Sequence, residues 1–205
     1  MRSKLTRAGL GEAFINVALC ILYGAFAYSH VLSFARHHRA SVILIVCIEA
    51  LFAVFFLVRR PAKAASLDAT ACVSTAVGTF LPLLLRPTAD PQDFLAAQLV
   101  QAVGAASSVA GVLSLNRSLG LLPANRGIRA AGAYRLVRHP LYASYLVTQL
   151  GYLASNLSAW NSAAIAVGFA AQLVRIRSEE RLLSVDPAYL AYTTRTRWRL
   201  VPFVY

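Results

Sequence analysis

Residues 139–174 read HPLYASYLVTQLGYLASNLSAWNSAAIAVGFAAQLV, a run of 36 positions without Asp, Glu, Lys or Arg. A bilayer core about 30 Å thick needs about 20 helical residues to cross it. The run is too long for one crossing and barely long enough for two, but Ser155-Asn156-Leu157-Ser158 offers a polar turn near its middle. It predicts a tight helical hairpin, and its length leaves open whether the hairpin crosses completely. Upstream, four further uncharged or nearly uncharged stretches follow the same arithmetic. They are Ala13 to Ala35, Ala40 to Val58 (interrupted only by Glu49), Ala69 to Leu85, and Phe94 to Asn116. Each predicts a single span. The expected fold is therefore all-α, a polytopic membrane bundle of four spans, a C-terminal helical hairpin and a cytoplasmic C-terminal helical segment.

Composition agrees with that pattern. Of the 205 residues 58% are apolar and 14% charged, against about 45–50% and about 25% in soluble domains. Yet 20 Lys and Arg against 8 Asp and Glu leave a net charge of +12. Basic loops between membrane spans reconcile the two, whereas disorder, a coiled coil, a disulfide scaffold or a free nucleic-acid-binding domain do not. Cys20, Cys47 and Cys72 are odd in number, lie far apart and sit in apolar runs. Neither disulfides nor a zinc site is expected. Arg2, Lys4 and Arg7 ahead of apolar sequence imitate a secretory signal, with Ala25-Phe26-Ala27 as its cleavage site. The following run is longer than an ordinary signal core, about 7–15 residues, and reads as a retained first span.

Alternating the sides puts the N-terminus, Arg59, Arg60, Lys63, the 117–138 loop and everything from Arg175 onward on one face. That face holds 17 of the 20 Lys and Arg residues, leaving Arg36, Arg39 and Arg86 opposite. The positive-inside rule makes the richer face cytoplasmic, with both termini inside, in what is expected to be a bacterial cytoplasmic membrane. The text also changes character along the chain. Residues 1–116 are repetitive Ala, Val and Leu sequence; residues 117–205 bring Arg, His, Tyr, Asn and Glu together at close intervals, so chemistry is expected in this second region of one domain.

Three clusters there are candidates. The first is Tyr134-Arg135-Leu136-Val137-Arg138-His139-Pro140-Leu141-Tyr142. Pro140 suits the first helical position, where its missing N–H costs nothing, and the free N–H groups of that turn attract anions. His139 and Tyr142, three apart, share a face. The same residues also read as interfacial anchors, a snorkelling Arg with an aromatic belt. The second cluster is Arg175-Ile176-Arg177-Ser178-Glu179-Glu180-Arg181, with Arg175 and Glu179 four apart; a solvated ion-pair surface is its plainer reading. The third runs from Asp186 and Pro187 through Tyr189, Tyr192 and Arg195 to Arg199 and Pro202, a capped short helix entering a basic aromatic segment. It reads equally as an amphipathic tail on anionic lipid. Glu49, near the centre of the second span, stands where a carboxylate is expensive. A structural role is expected for it, either protonated or paired with a polar group of another helix. His30, His37 and His38 lack acidic or cysteine companions, and no metal site is expected.

In this order and spacing the clusters resemble the isoprenylcysteine carboxyl methyltransferase family, integral membrane enzymes that use S-adenosylmethionine, and its bacterial members in particular. The resemblance covers roughly Asn116 to the end. It rests on Ser118-Leu119-Gly120 with Pro123, Gly132-Ala133-Tyr134, Arg138-His139-Pro140-x-Tyr142, Glu179-Glu180, and Tyr189-x-x-Tyr192 ending in Arg199-x-x-Pro202. It implies a cofactor held between the hairpin and the C-terminal segment. The implied cofactor contacts are Arg126, Gly127, Ile128, Arg129, Tyr134, Arg138, His139, Pro140, Leu141, Tyr142 and Glu179. Arg175 would face the acceptor, with Arg195 near the active site.

The acceptor is expected to be hydrophobic or lipid-linked. A carboxylate, the family precedent, would need only positioning by Arg175 or Arg195. An amine or phenol would also need a base, for which Glu180 or His139 is the candidate. Gly9 and Gly11 precede a span, so no soluble dinucleotide-binding domain is expected. Two other classes fit parts of the sequence. A sterol-reductase-type membrane enzyme using NADPH also carries an Arg-His-Pro-x-Tyr-like segment, and a non-catalytic transport or scaffold subunit would give Glu49 a role. The acceptor and the oligomeric state are not legible.

Overall fold

The computed structural model of the chain describes residues 7–37, 41–86, 88 and 95–205. Arg2, Lys4, His38 and Arg39, weighed above, lie outside them. The order of elements is α1 (Arg7–His37), α2 (Ser41–Val58), β1 (Ala64–Ala65), α3 (Ala69–Phe80), α4 (Leu95–Leu115), β2 (Ala124–Asn125), α5 (Pro140–Ser155), α6 (Ala159–Leu183) and α7 (Pro187–Arg195). Helices pair as α1 with α2, α4 with α5 and α3 with α6, and α2 lies on α4.

Among the described residues, two of the four upstream stretches form helices long and apolar enough to cross a bilayer, Gly11–Arg36 and Leu95–Ser118. Ile45–Val58 and Ala69–Leu84 are shorter apolar helices. In the second case the reason is local: Pro82 cannot donate a backbone hydrogen bond, and α3 gives way at Phe80 to a 3₁₀ turn over Leu81–Leu84. α1 nevertheless presents Phe14, Ile21 and Tyr28 outward. A helix that is apolar on its outer as well as its inner face is at home in lipid.

The hairpin breaks within the polar stretch. α5 ends at Ser155 and α6 starts at Ala159, capped by the Ser158 hydroxyl, which accepts from Asn161 N–H at 3.1 Å. Asn161 is fully buried there. Its amide donates to the carbonyls of Arg86 (2.8 Å) and Asn156 (2.7 Å), while its Oδ1 accepts from Arg86 N–H (3.0 Å). The turn is thereby fastened to the end of the α3 segment. Trp160 donates to the Leu84 carbonyl at 2.8 Å and lies under the Arg86 guanidinium at 4.8 Å, an aromatic–basic arrangement typical of an interface.

At the opposite end the loops are knitted by backbone. β1 pairs antiparallel with β2, a two-residue exception to an otherwise helical fold. Arg60 N–H donates to the Arg117 carbonyl (2.7 Å) and Lys63 N–H to that of Asn125 (2.8 Å). Between the two ends, Leu19, Phe52, Phe56, Val112, Leu119 and Leu141 form the apolar core, with Tyr23 stacked on Phe56 at 5.4 Å.

Candidate active site

The N-terminus of α5 is built as its sequence requires. Pro140 takes the first helical position, and His139 precedes it in non-helical backbone (φ −130°, ψ 60°) without capping the helix through its side chain. That leaves the imidazole for other work. The backbone N–H groups of Arg138 and His139 donate to the carbonyls of Trp198 and Arg199, each at 2.8 Å, so the C-terminal segment is laid directly against this turn.

Glu180 closes the junction. Its Oε1 accepts from Arg138 (2.9 Å) and from His139 Nε2 (3.2 Å), and its Oε2 from Arg199 Nε (2.8 Å). Burial by itself would raise this carboxyl. The hydrogen bonds from His139 and Arg199, with the charges of His139 and Arg138, outweigh burial and hold it at about 2. The arrangement favours a bracing role for Glu180 over the role of base expected from the sequence. A carboxylate so weakly basic, with both oxygens engaged, braces the site. Because it is ionised and can only accept, His139 Nε2 carries the proton and Nδ1 is the nitrogen left for other contacts.

One residue earlier, Glu179 points elsewhere. It accepts from the Tyr142 hydroxyl at 2.9 Å, and Tyr142 in turn stacks on His139 with ring centroids 5.6 Å apart. The Arg175 guanidinium lies 5.1 Å from the centre of the other Tyr142 contact surface, its ring, and donates to the carbonyls of Leu121 and Gly120. Tyr134, Tyr189 and Tyr192 form a buried aromatic cluster beneath, in which Tyr192 donates to the Tyr134 carbonyl at 2.7 Å. Burial, with the nearby Glu179 charge, lifts the Tyr134 phenol well above its ordinary range, and burial lifts Tyr192 to about 12. Both stay protonated at neutral pH and serve as ring faces and donors.

The loop before α5 is held by charge and by turn geometry. Arg126 is buried between Glu12 of α1 (2.7 Å) and the Arg60 carbonyl. Gly127 adopts φ +95°, which favours glycine, and its N–H donates to Asn125 Oδ1 at 3.0 Å. Arg129 Nε donates to Ser118 Oγ at 3.2 Å, and that hydroxyl donates to the Arg126 carbonyl. The Asn125 amide reaches Asp186 at the cap of α7, 3.0 Å away.

Two hollows meet here. A small cleft of about 50 Å³ is lined by Arg126, Gly127, Ile128, Arg129, Tyr134, Arg138, His139, Glu179, Tyr189 and Tyr192. A larger cavity of about 470 Å³ runs from Tyr134, His139, Leu141, Tyr142, Arg175 and Glu179 into the helical bundle. Tyr134, His139 and Glu179 belong to both walls. Pro140 is buried behind them and, like Glu180, is outside both linings. Arg195, expected near the active site, is the exposed last residue of α7 and lines neither hollow, because the buried face of that short helix is taken by Tyr189 and Tyr192. Sequence reasoning passed over Arg199, which sits in a quoted motif. It also passed over Tyr145 and Gln172, cavity-lining residues three positions from Tyr142 and Arg175.

The donor set suits S-adenosylmethionine, which carries a carboxylate, an ammonium, a sulfonium and an adenosine. Glu179 and the tyrosine and histidine rings suit its cationic and aromatic parts. The buried Nε atoms of Arg126 and Arg138 lack a protein acceptor, as does that of Arg175; they leave N–H capacity around the two hollows for carboxylates. Among the described residues no group of three or more His, Cys, Asp or Glu could hold a metal ion.

A search of curated proteins finds no match to the chain. Residues 106–185 match the model of the isoprenylcysteine carboxyl methyltransferase (ICMT) family. That region begins within α4 and ends just past α6, enclosing His139, Tyr142, Arg175, Glu179 and Glu180, and over it the chain is similar to that family.

Proposed function

We propose that this chain is a multi-pass membrane enzyme that transfers a methyl group from S-adenosylmethionine to a hydrophobic or lipid-linked acceptor. The observation that carries the reading is the shared wall: Tyr134, His139 and Glu179 face a small cleft flanked by Arg126, Arg129 and Arg138 on one side and a large, mostly apolar cavity on the other. When bound, the cofactor supplies an electrophilic methyl carbon on a sulfonium.

Arg138 and Arg129 suit its carboxylate, Glu179 its ammonium or ribose hydroxyls, and Tyr134 and Tyr142 its ring or sulfonium faces. Arg175 faces the acceptor. Its guanidinium is anchored by the carbonyls of Gly120 and Leu121 and by the Tyr142 ring, so it can orient a carboxylate without first being ordered. A carboxylate needs no proton removed. For an amine, His139 Nδ1 is the remaining base, since Nε2 is committed to Glu180. The apolar walls exclude water, which would compete as a nucleophile and solvate the acceptor.

The test is calorimetric titration of detergent-purified protein with S-adenosylmethionine and, separately, NADPH. Saturable binding of the first is expected. Loss of one charge-assisted contact should weaken it about tenfold or more in Glu179→Ala and in His139→Ala. Transfer of labelled methyl groups into a lipid extract would then identify the acceptor. Folded protein that binds only NADPH, or whose affinity for S-adenosylmethionine ignores both substitutions, would remove this reading in favour of a reductase or a binding subunit.

A further inference from the structure

The larger cavity has a second polar end, which the proposed methyl transfer does not use. His30 of α1 and Glu49 of α2 line it together with Ile45 and Ile48, while Glu179, Tyr142 and Arg175 line it at the cytoplasmic end. Along α2 the lining runs from Ile45 to Phe56, about 16 Å at 1.5 Å per residue. His30 Nδ1 lies 2.8 Å from Glu49 Oε2 and 3.1 Å from the Phe26 carbonyl. Both partners are acceptors, so Nδ1 donates and Nε2 is left toward the surroundings. The pair spends one carboxylate oxygen and one ring nitrogen on each other. The side chains keep 14% (Glu49) and 36% (His30) of their surface open, so the remaining oxygen and nitrogen have room for a ligand.

A helix staple alone does not require a cavity beside it, and a carboxylate within an apolar helix is costly unless it is used. Nearer the other end, one helical turn from Arg175, a further polar group lines the same cavity. Gln172, 6% exposed, donates its amide to the Gly78 carbonyl at 3.0 Å, while its Oε1 is buried without a protein partner and its side chain lines the cavity wall. An acceptor that was hydrocarbon throughout would leave these groups desolvated and unpaired, at a cost to binding.

We infer that His30 and Glu49 form a distal recognition site for a hydrogen-bond-donating group, hydroxyl or amine, at the far end of the acceptor's apolar chain. The inference rests on the methyltransferase reading for what happens at the near end. The acceptor class is accordingly a two-headed amphiphile, with the methylated group beside Arg175 and Glu179, an apolar chain along Phe52 and Phe56, and a donor between Glu49 and His30. One hydrogen bond to a charged acceptor is enough to be read as a preference of about five- to tenfold.

The test uses the full chain in lipid nanodiscs and three probes: dodecanoate, ω-hydroxydodecanoate and ω-aminododecanoate, with partition into empty nanodiscs subtracted. The wild type should bind one or both ω-substituted probes about five- to tenfold more tightly than dodecanoate. In Glu49→Gln and His30→Ala that ratio should fall toward one while dodecanoate affinity holds. S-adenosylmethionine affinity is measured on the same samples. A ratio of one in the wild type overturns the distal site, as does a preference surviving in both variants. If the preference is present but S-adenosylmethionine does not bind, the distal site stands and the methyltransferase reading fails. Should one variant not fold, the wild-type ratio and the other variant decide.

Discussion

Glu179 and Glu180 are neighbours in sequence and opposites in environment. Glu180 is met by Arg138, His139 and Arg199, whereas Glu179 is met by the Tyr142 hydroxyl and both hollows. The adjacent pair was visible in the sequence, but helical rotation of about 100° per residue sends the two side chains to different surroundings. Which carboxylate braces and which faces a ligand depends on Arg199, brought in from the far end of the chain. Arg195 shows the same limit. Its basic character was legible, but α7 buries its tyrosine face and turns Arg195 to solvent. The folded Glu180 value of about 2 lies below the ordinary 4.5. Its contribution to stability is therefore fully present above about pH 4.5 and lost as pH falls through about 2. Glu180→Gln should lower stability at neutral pH by roughly 1–3 kcal/mol, discounted because solvent reaches Arg199. Unfolding curves of the two proteins should stay a constant distance apart above pH 5 and converge in acid; a gap that is undiminished at pH 2.5 would show that the three cations contribute little.

Among the elements, the contact of α4 with α5 sets where the site stands, because α5 carries His139 and Tyr142 at its start. The two helices approach closely over small residues. An added Cβ at Gly104 would lie 2.6 Å from Thr148 N, and one at Gly151 would lie 2.7 Å from Gln101 N. One turn beyond Gly104, toward the start of α5, Ser108 and Ser144 share a hydrogen bond of 2.8 Å. Such small-residue seams let helix backbones approach where lipid offers no hydrophobic drive. Backbone atoms cannot move aside as a flexible side chain can, so Gly104→Ala should push the helices apart and cost about 1–3 kcal/mol. Melting in detergent should show that loss together with weaker S-adenosylmethionine binding, whereas unchanged values for both would mean that the seam is not what positions α5. The small residues of α4 were visible in the sequence, but their partners on α5 were not, since periodicity marks a face without saying what it meets. The hairpin break was easier to read, because Ser155 to Ser158 supply both a cap and polar groups that an apolar run cannot hold in helix.

Across the whole molecule two layers of polar groups mark the ends of the helices. Arg59, Arg60, Arg117 and Arg126 gather with Glu12 at the end that holds the candidate site. Arg86, Thr88, Asn156, Trp160 and Asn161 gather at the other. From Ala159 to Arg175, α6 rises about 24 Å between them, close to the hydrocarbon thickness of a membrane. This bears on the hairpin length that sequence counting left undecided. The uncharged run stops at Val174, but α6 continues to Leu183, and the α5–α6 turn is bonded to the level of Arg86. On the multi-pass reading proposed above, the charge asymmetry would put the site on the cytoplasmic face. Single cysteines at exposed Leu67, Leu157 and Phe203, in a chain whose own Cys20, Cys47 and Cys72 are replaced, would test that arrangement. Leu157→Cys should react with a membrane-impermeant maleimide in intact cells, and Leu67→Cys and Phe203→Cys only after permeabilisation or in inside-out vesicles. Reaction of all three from the same side would make the hairpin re-entrant. The polar layer around Asn161 would then have to lie inside the bilayer, where its three hydrogen bonds to backbone would be needed to satisfy it.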